Sequence, residues 1–220
     1  MSRRRSAVWA TLVGAVCVYA LVRLLTAPTR PLRTDVLQGV LVGVGLAVVT
    51  VEVLARAKAI TVNGWVTMLG CGVPQNGFLT RAAATWMFPG PVNVSEEAAY
   101  WTTHVDDAGR PLGGHRIYVM HFPAGGLPPN DAFWSLTMGD SRNRFVPNPI
   151  GRYSVSDRSG LASNADGSVD IYIQTTAPTG HESNWLPAPP GPFTLWLRVH
   201  LPGRVILEGR YAVPPVSKVA

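Results

Sequence analysis

Charge is scarce in this sequence. Asp, Glu, Lys and Arg make up 15% of the 220 residues, against about 25% in soluble domains. Acid is scarcer than base, 13 residues against 19, and that imbalance suggests a nucleic-acid protein until it is divided along the chain. Residues 1–58 hold eight basic and two acidic residues, and residues 59–220 hold eleven of each. The neutral remainder has no basic face to neutralise a phosphate backbone, which excludes nucleic acid as the main partner. Cysteine is almost missing. Cys17 lies in an apolar run and Cys71 far outside it, so the two build no disulfide framework and leave the redox compartment undecided. The Gly-x-Ser-x-Gly elbow and the His-Glu-x-x-His zinc helix are both missing. No repeat of fixed period is present, and no metal or cofactor is expected.

Two long apolar runs are present. They span Ala7 to Leu25 and Val36 to Leu54, 19 residues each, about 29 Å as helix against a hydrocarbon core of about 30 Å. Arg23, Gln38 and Glu52 are the polar residues, all near the ends, where a long side chain reaches the headgroups. "TAPTRPLRTD" between the runs suits an interfacial turn. Residues 1–58 are therefore expected to form a transmembrane helical hairpin, with the lipid bilayer as partner. Gly39 and Gly43, four apart, allow close approach of a helix, either the first run or a membrane-protein partner. A cleaved signal peptide is the rival reading of the first run, but "LLTA" is a poor cleavage site. Five basic residues at the two ends, against three at the turn, put the large domain on the cytoplasmic side. If the second run does not span, the domain is extracytoplasmic.

Residues 59–92 read as a Gly-rich linker with a short helix at 78–88, stopped by Pro89-Gly90-Pro91. Beyond them strand signals recur between turns: 98–105 and 115–122 as a hairpin with a long loop, then 132–140, "RYSVSD", 169–176, 193–201 and 205–213. "FTLWLRVHL" alternates cleanly, with Phe193, Leu195, Leu197 and Val199 on one face and Thr194, Trp196, Arg198 and His200 on the other. The expected fold class is mainly β, an antiparallel, jelly-roll-like sandwich over residues 93–220.

"RPLGG", "FWSLTMGD", "NPIGRYS", "DGS", "NWLPAP" and "GPFTLWLRVHLP" occur in that order. Together they resemble the bacterial family catalogued as domain of unknown function 1214, whose members are often joined to, or found beside, family 1254. The resemblance covers roughly residues 60–215. It implies a β-sandwich, often exported or membrane-tethered, and it implies no activity. Many members have one N-terminal apolar segment, where this chain has two.

Candidate chemistry is thin. "GDSRN" (139–143) reads as a turn before it reads as a serine nucleophile. Asn164, Asp166, Ser168 and Asp170 alternate as in a calcium loop, but the later bidentate Glu is missing and Asp-Gly is a turn signal by itself. His115 and His121, read as one strand, stand about 20 Å apart, too far to share zinc. Glu96, Glu97, Asp106, Asp107 and Glu182 supply acids for glycoside hydrolysis, with no spacing to pair them. In "SNWLPAPPGPF" the prolines read first as a loop wrapped over a packed Trp185. The second reading makes it one wall of a pocket uniting Trp134, Tyr153, Tyr118, Asn184, Trp185 and Arg198, suited to a glycan or lipid headgroup. Two functions remain: a non-catalytic membrane-anchored domain that binds an envelope ligand or a protein partner, and a membrane-anchored hydrolase of envelope glycans or lipids.

Overall fold

A computed structural model describes residues 14–16, 18–23, 25–26, 32–73, 75–88 and 92–219. The chain divides into two compact units, one of Met1–Lys58 with Gly77–Met87 and one of Ala59–Asn76 with Phe88–Ala220.

In the first unit, residues 14–16, 18–23 and 25–26 are helical. The rest of the first apolar run, Cys17 included, and residues 27–31 of the expected turn at 26–35 lie outside the described residues, while residues 32–35 of that turn are helical. The second run is helix α1 (Leu32–Lys58), longer at both ends than its apolar stretch. Asp35 in its first turn and Arg56 and Lys58 in its last complement the helix dipole. Val36, Leu37, Val40, Leu41, Val44 and Leu46 are all exposed along it. Helix α2 (Phe78–Met87) buries Ala83 and Ala84 and packs on α1. The indole N–H of Trp86 donates to the Glu52 carboxylate, which also accepts from Arg56.

The second unit is mainly β, with two sheets. The larger has six strands in the order β1-β2-β3-β9-β5-β6, and the smaller has four in the order β10-β4-β7-β8. The strands of the large sheet are β1 (Ile60–Val62), β2 (Trp65–Thr67), β3 (Ala98–Thr103), β5 (Asn130–Asp140), β6 (Ser154–Ser156) and β9 (Phe193–Pro202). Those of the small sheet are β4 (Tyr118–Phe122), β7 (Val169–Gln174), β8 (Trp185–Pro187) and β10 (Ser217–Lys218). The period-2 pattern places the core between them. Trp101, Trp134, Leu136, Leu195, Leu197 and Val199 of the large sheet join Tyr118, Met120, Phe122, Ile171, Ile173 and Leu186 of the small one in a single buried cluster. Burying a side chain of this size stabilises by about 1.5–3 kcal/mol.

Four expectations are corrected. Residues 60–67 are not linker: they form the antiparallel pair β1–β2, which extends the large sheet by pairing β2 with β3. Trp65 fixes this hairpin, being 1% exposed with its indole N–H bonded to Pro214 O at 2.8 Å. The segments near 98–105 and 115–122 are not a hairpin, because β3 pairs with β9 and β4 with β7; the long loop carries the chain from one sheet to the other. The sandwich is not wholly antiparallel, since β8 runs parallel to β7. Finally, 205–213 is no strand. Pro202 and Gly203 lead into the short helix α3 (Arg204–Leu207), with Gly203 at its N-cap, and Gly209 at φ 69° turns the chain back. A Gly in the left-handed region carries no Cβ penalty.

Candidate functional site

The six residues expected to line a pocket lie in different environments. Trp134 and Tyr118 belong to the core, exposed 1% and 0%. Trp134 is tilted against Phe122, while Tyr118 meets Phe193 edge-on and accepts the Gly113 N–H on its hydroxyl. Trp185 is buried, its indole N–H donating to Gln174 O at 2.8 Å. Asn184 is buried and fully engaged: its amide N–H groups donate to Ala162 O and Asp170 O, and its carbonyl accepts from Ala162 N–H. These four bind structure together. Tyr153 lies at the surface beside Phe145, ring centres 5.4 Å apart. Arg152, next to it, donates to the backbone carbonyls of Glu182, Ser183 and Trp185, tying the proline-rich segment down. Arg198 lies elsewhere, on the outer face of the large sheet.

That outer face carries the most distinctive chemistry. Strand β9 is central, so each of its outward residues has a neighbour on both sides. Register sets three rows: Thr102–Trp196–Thr137, Tyr100–Arg198–Ser135 and Ala98–His200–Phe133. Directly opposed residues hold their Cβ atoms about 4.5–5.5 Å apart. Trp196 lies flat in the space left by Gly139, where an added Cβ would stand 2.3 Å from the ring. The Arg198 guanidinium sits 5.8 Å from the Trp196 ring centre. His200 stacks on Phe133 at 4.4 Å and 20°, and the Arg158 guanidinium stands 4.7 Å from the same Phe133 ring. Arg158 donates to Ala132 O. Among the described residues no carboxylate pairs with Arg198 or Arg158, and the Arg198 guanidinium and Ser135 hydroxyl have no hydrogen-bond partner there. Partial burial, then the charge of Arg198, hold the His200 imidazole below its usual pKa. Three basic groups thus share one face, two of them permanently charged, in a unit whose ten basic and eleven acidic residues give a net formal charge of −1.

On the outer face of the small sheet, His121 Nδ1 lies 2.6 Å from Asp170 Oδ1, the two residues being paired across β4 and β7. The other Asp170 oxygen accepts from Asn164. The would-be calcium ligands thus bond one another: Asn164 donates to Ser168 Oγ, and Ser168 donates to Asp166. Among the described residues no three His, Cys, Asp or Glu side chains are grouped to hold a metal. His115 falls before β4 rather than on it. Asp106 of the acid candidates is buried and holds a turn, accepting from Ala108 and Arg110 N–H and pairing with the Arg110 guanidinium. Asp140 does the same for Arg142 and Arg144, confirming "GDSRN" as a turn.

A cleft of ≈ 370 Å³, open to solvent, lies between the β1–β2 hairpin and the C-terminal segment, lined by Ile60, Val62, Trp65, Trp101, Tyr211 and Val213. Burial pushes the Tyr211 phenol well above its usual pKa, and the hydroxyl donates to Gly126 O. Its walls are mostly apolar, and the Thr67 hydroxyl that also lines it donates to Tyr100 O.

The strand pattern alone shows Trp196, Arg198 and His200 on one face. Phe133 and Arg158 were not legible, because they join that face through long-range pairing and through the turn after β6.

None of the curated proteins matches the chain. Among solved structures it is similar to the VPA0106 protein from Vibrio parahaemolyticus, with 24% identity and a TM-score of 0.62 over 88% of this chain and 47% of that one. It is also matched to an uncharacterised protein from Burkholderia cenocepacia, with 15% identity and a TM-score of 0.44 over 96% of this chain and 49% of that one. The chain spans about half the length of these solved chains. The first likeness is one of fold. Residues 97–204, which run from just before β3 to the start of α3 and contain the whole outer-face cluster, match the family described as protein of unknown function (DUF1214).

Proposed function

We propose that the chain is a membrane-anchored β-sandwich, jelly-roll-like in kind, that binds an anionic ligand of the cell envelope on the outer face of its large sheet. The observation that carries this reading is Arg198: a half-buried guanidinium beside Ser135, with no acceptor among the described residues. Partial desolvation strengthens attraction to an incoming anion, and the planar fork of Arg suits bidentate contact with a carboxylate or phosphate. Trp196 below it and the Arg158–Phe133–His200 stack beside it keep the side chains ordered. An acidic glycan or an anionic lipid headgroup has the required chemistry.

The test uses the purified full chain in nonionic detergent, titrated with a uronic-acid oligosaccharide or with short-chain phosphatidylglycerol while thermal unfolding is followed. One of the two should raise the transition temperature of the wild type and leave Arg198→Gln unmoved. Equal responses of wild type and variant, or none to either anion, would overturn the reading.

Anchoring is supported by α1. Its span Thr34–Lys58 contains an 18-residue window of mean hydropathy 2.1, and a helix apolar on all sides and mostly uncovered suits lipid. In this reading the first apolar run pairs with it as a hairpin, and Gly39 and Gly43, both exposed, offer a close-packing site to a membrane-protein partner. The basic flanks favour a cytoplasmic domain, and a signal-sequence role for either run would place it outside. A membrane-anchored hydrolase of envelope glycans or lipids is the second reading. The His121–Asp170 contact favours it, because a carboxylate that fixes a histidine tautomer is the support a general base needs.

A further inference from the structure

Helix α2 has two unlike faces. Ala83 and Ala84 are fully buried, and small residues at these positions let the helix lie close to its neighbour α1. On the other side, Phe78 is 82% exposed, Leu79 45% and Trp86 57%. At about 100° per residue, positions 78, 79, 82 and 86 fall within an arc of about 100°, so these three large apolar side chains and Ala82 form a continuous strip. Nothing in the helix opposes an anionic surface, for its one charged residue is Arg81.

The level of α2 along α1 is fixed by the Trp86 indole, which donates to Glu52. Glu52 also pairs with Arg56, and Lys58 follows. Glu52 is the first charged residue after Asp35, and with Arg56 and Lys58 it marks where α1 leaves hydrocarbon. A Trp with its N–H on a polar partner and its ring exposed matches the preference of indole for the headgroup layer. Free in water, the Phe78–Leu79–Trp86 strip would be an uncovered hydrophobic patch.

We propose that α2 is an interfacial helix that lies in the headgroup layer of the bilayer spanned by α1, with its Phe78, Leu79 and Trp86 face in lipid. This inference rests on the membrane reading of α1. The occupant of the strip is the lipid surface itself, chosen because α2 packs on the apolar helix at its charged end and because the one charged residue of α2 is basic, while Glu52 beside Trp86 is paired with Arg56.

The test places a polarity-sensitive fluorophore on Leu79→Cys, in a Cys17→Ser, Cys71→Ser background of the full chain, in vesicles of phosphatidylcholine and phosphatidylglycerol. Ala165→Cys, in the exposed turn before β7 of the small sheet, is the control. The label at 79 should emit to the blue and lose most of its intensity when the lipids carry a shallow nitroxide, while the label at 165 does neither. Equal behaviour of the two labels in chain that resists alkaline extraction overturns the inference and leaves the anchor intact. Chain released by alkali overturns the anchor itself, and with it the inference. Should the cysteine-free background fail to fold, the double variant Phe78→Ser, Leu79→Ser serves in its place. Its tryptic cleavage after Arg81 in vesicles should be several-fold faster than wild type, and an unchanged rate would overturn the proposal.

Discussion

The side chain of Asn184 takes both backbone groups of Ala162, accepting from its N–H and donating to its carbonyl at 2.8 Å each. A third bond runs to the carbonyl of Asp170 on β7, also at 2.8 Å. One amide thus mimics a strand partner for the loop before β7 and pins it to the 3-10 turn Glu182–Asn184. Replacing Asn184 with Ala leaves these buried groups unmatched and should destabilise the β domain by about 2–4 kcal/mol. The urea midpoint followed by near-ultraviolet circular dichroism reads this directly. Asn184→Asp loses both donors and sets a buried carboxylate against two carbonyl oxygens, and should destabilise at least as much as Ala.

Gly139→Ala should be more damaging than its size suggests. Its new methyl would stand 2.3 Å from the Trp196 ring, and the ring must tilt or the strand must shift, at about 1–3 kcal/mol. Because Trp196 lies under Arg198, the variant should also weaken anion binding while Arg198 itself is unchanged. Isothermal titration with the better of the two test anions checks this.

His200 predicts a pH slope. Its folded-state pKa lies below the ordinary 6.5, by burial first and by Arg198 second. The folded state therefore prefers the neutral ring. Stability is fully present above 6.5, falls as the pH drops toward the folded value, and levels off below it. His200→Gln should flatten that part of the profile. Thermal unfolding of both proteins between pH 7.5 and about 5 measures it.

Carboxylates govern the acid limb below that. Asp140 is held below its usual pKa mainly by the Arg144 backbone N–H, and Asp166 by the hydroxyl of Ser168 and then its N–H. Both contribute stability above 3.8 that is lost as the pH falls through their folded values. Asp166→Asn should lower stability slightly at neutral pH and leave the acid-side value nearly unchanged, so that less is lost on acidification. Both groups are at the surface, so the change in acid midpoint will be small.

Anchoring predicts fractionation. The full chain should stay with membranes through alkaline carbonate and leave only with detergent. Uncleaved chain that is monodisperse without detergent would remove the basis for the envelope reading.

Much of the β domain was legible because β9 alternates without a break, with both neighbours supplying matching faces. Trp185 was legible too: a large side chain before a proline run packs under it. What escaped was set by pairing distant in sequence. Ile60–Val62 carries no periodicity, being exposed throughout, and becomes a strand because Trp65 docks the hairpin. The segment 205–213 has strand-forming residues, but the Pro202-Gly203 pair before it dictates a helix start. Of the site, Arg198 was named from sequence, and its companions Phe133 and Arg158 arrive only through the register of β5 and the turn after β6. Trp134 and Tyr118 illustrate the reverse. Their polar tips suggested a ligand, yet their rings fill the core.

Strand β8 forms an outer edge of the small sheet and contains Pro187, with Pro189, Pro190 and Pro192 just beyond. Proline has no N–H to offer and bars a new strand from adding at its position. A border interrupted by proline resists strand-by-strand polymerisation through this side, so even at the high local density that the proposed anchor would impose, neighbouring copies remain a population of separate domains.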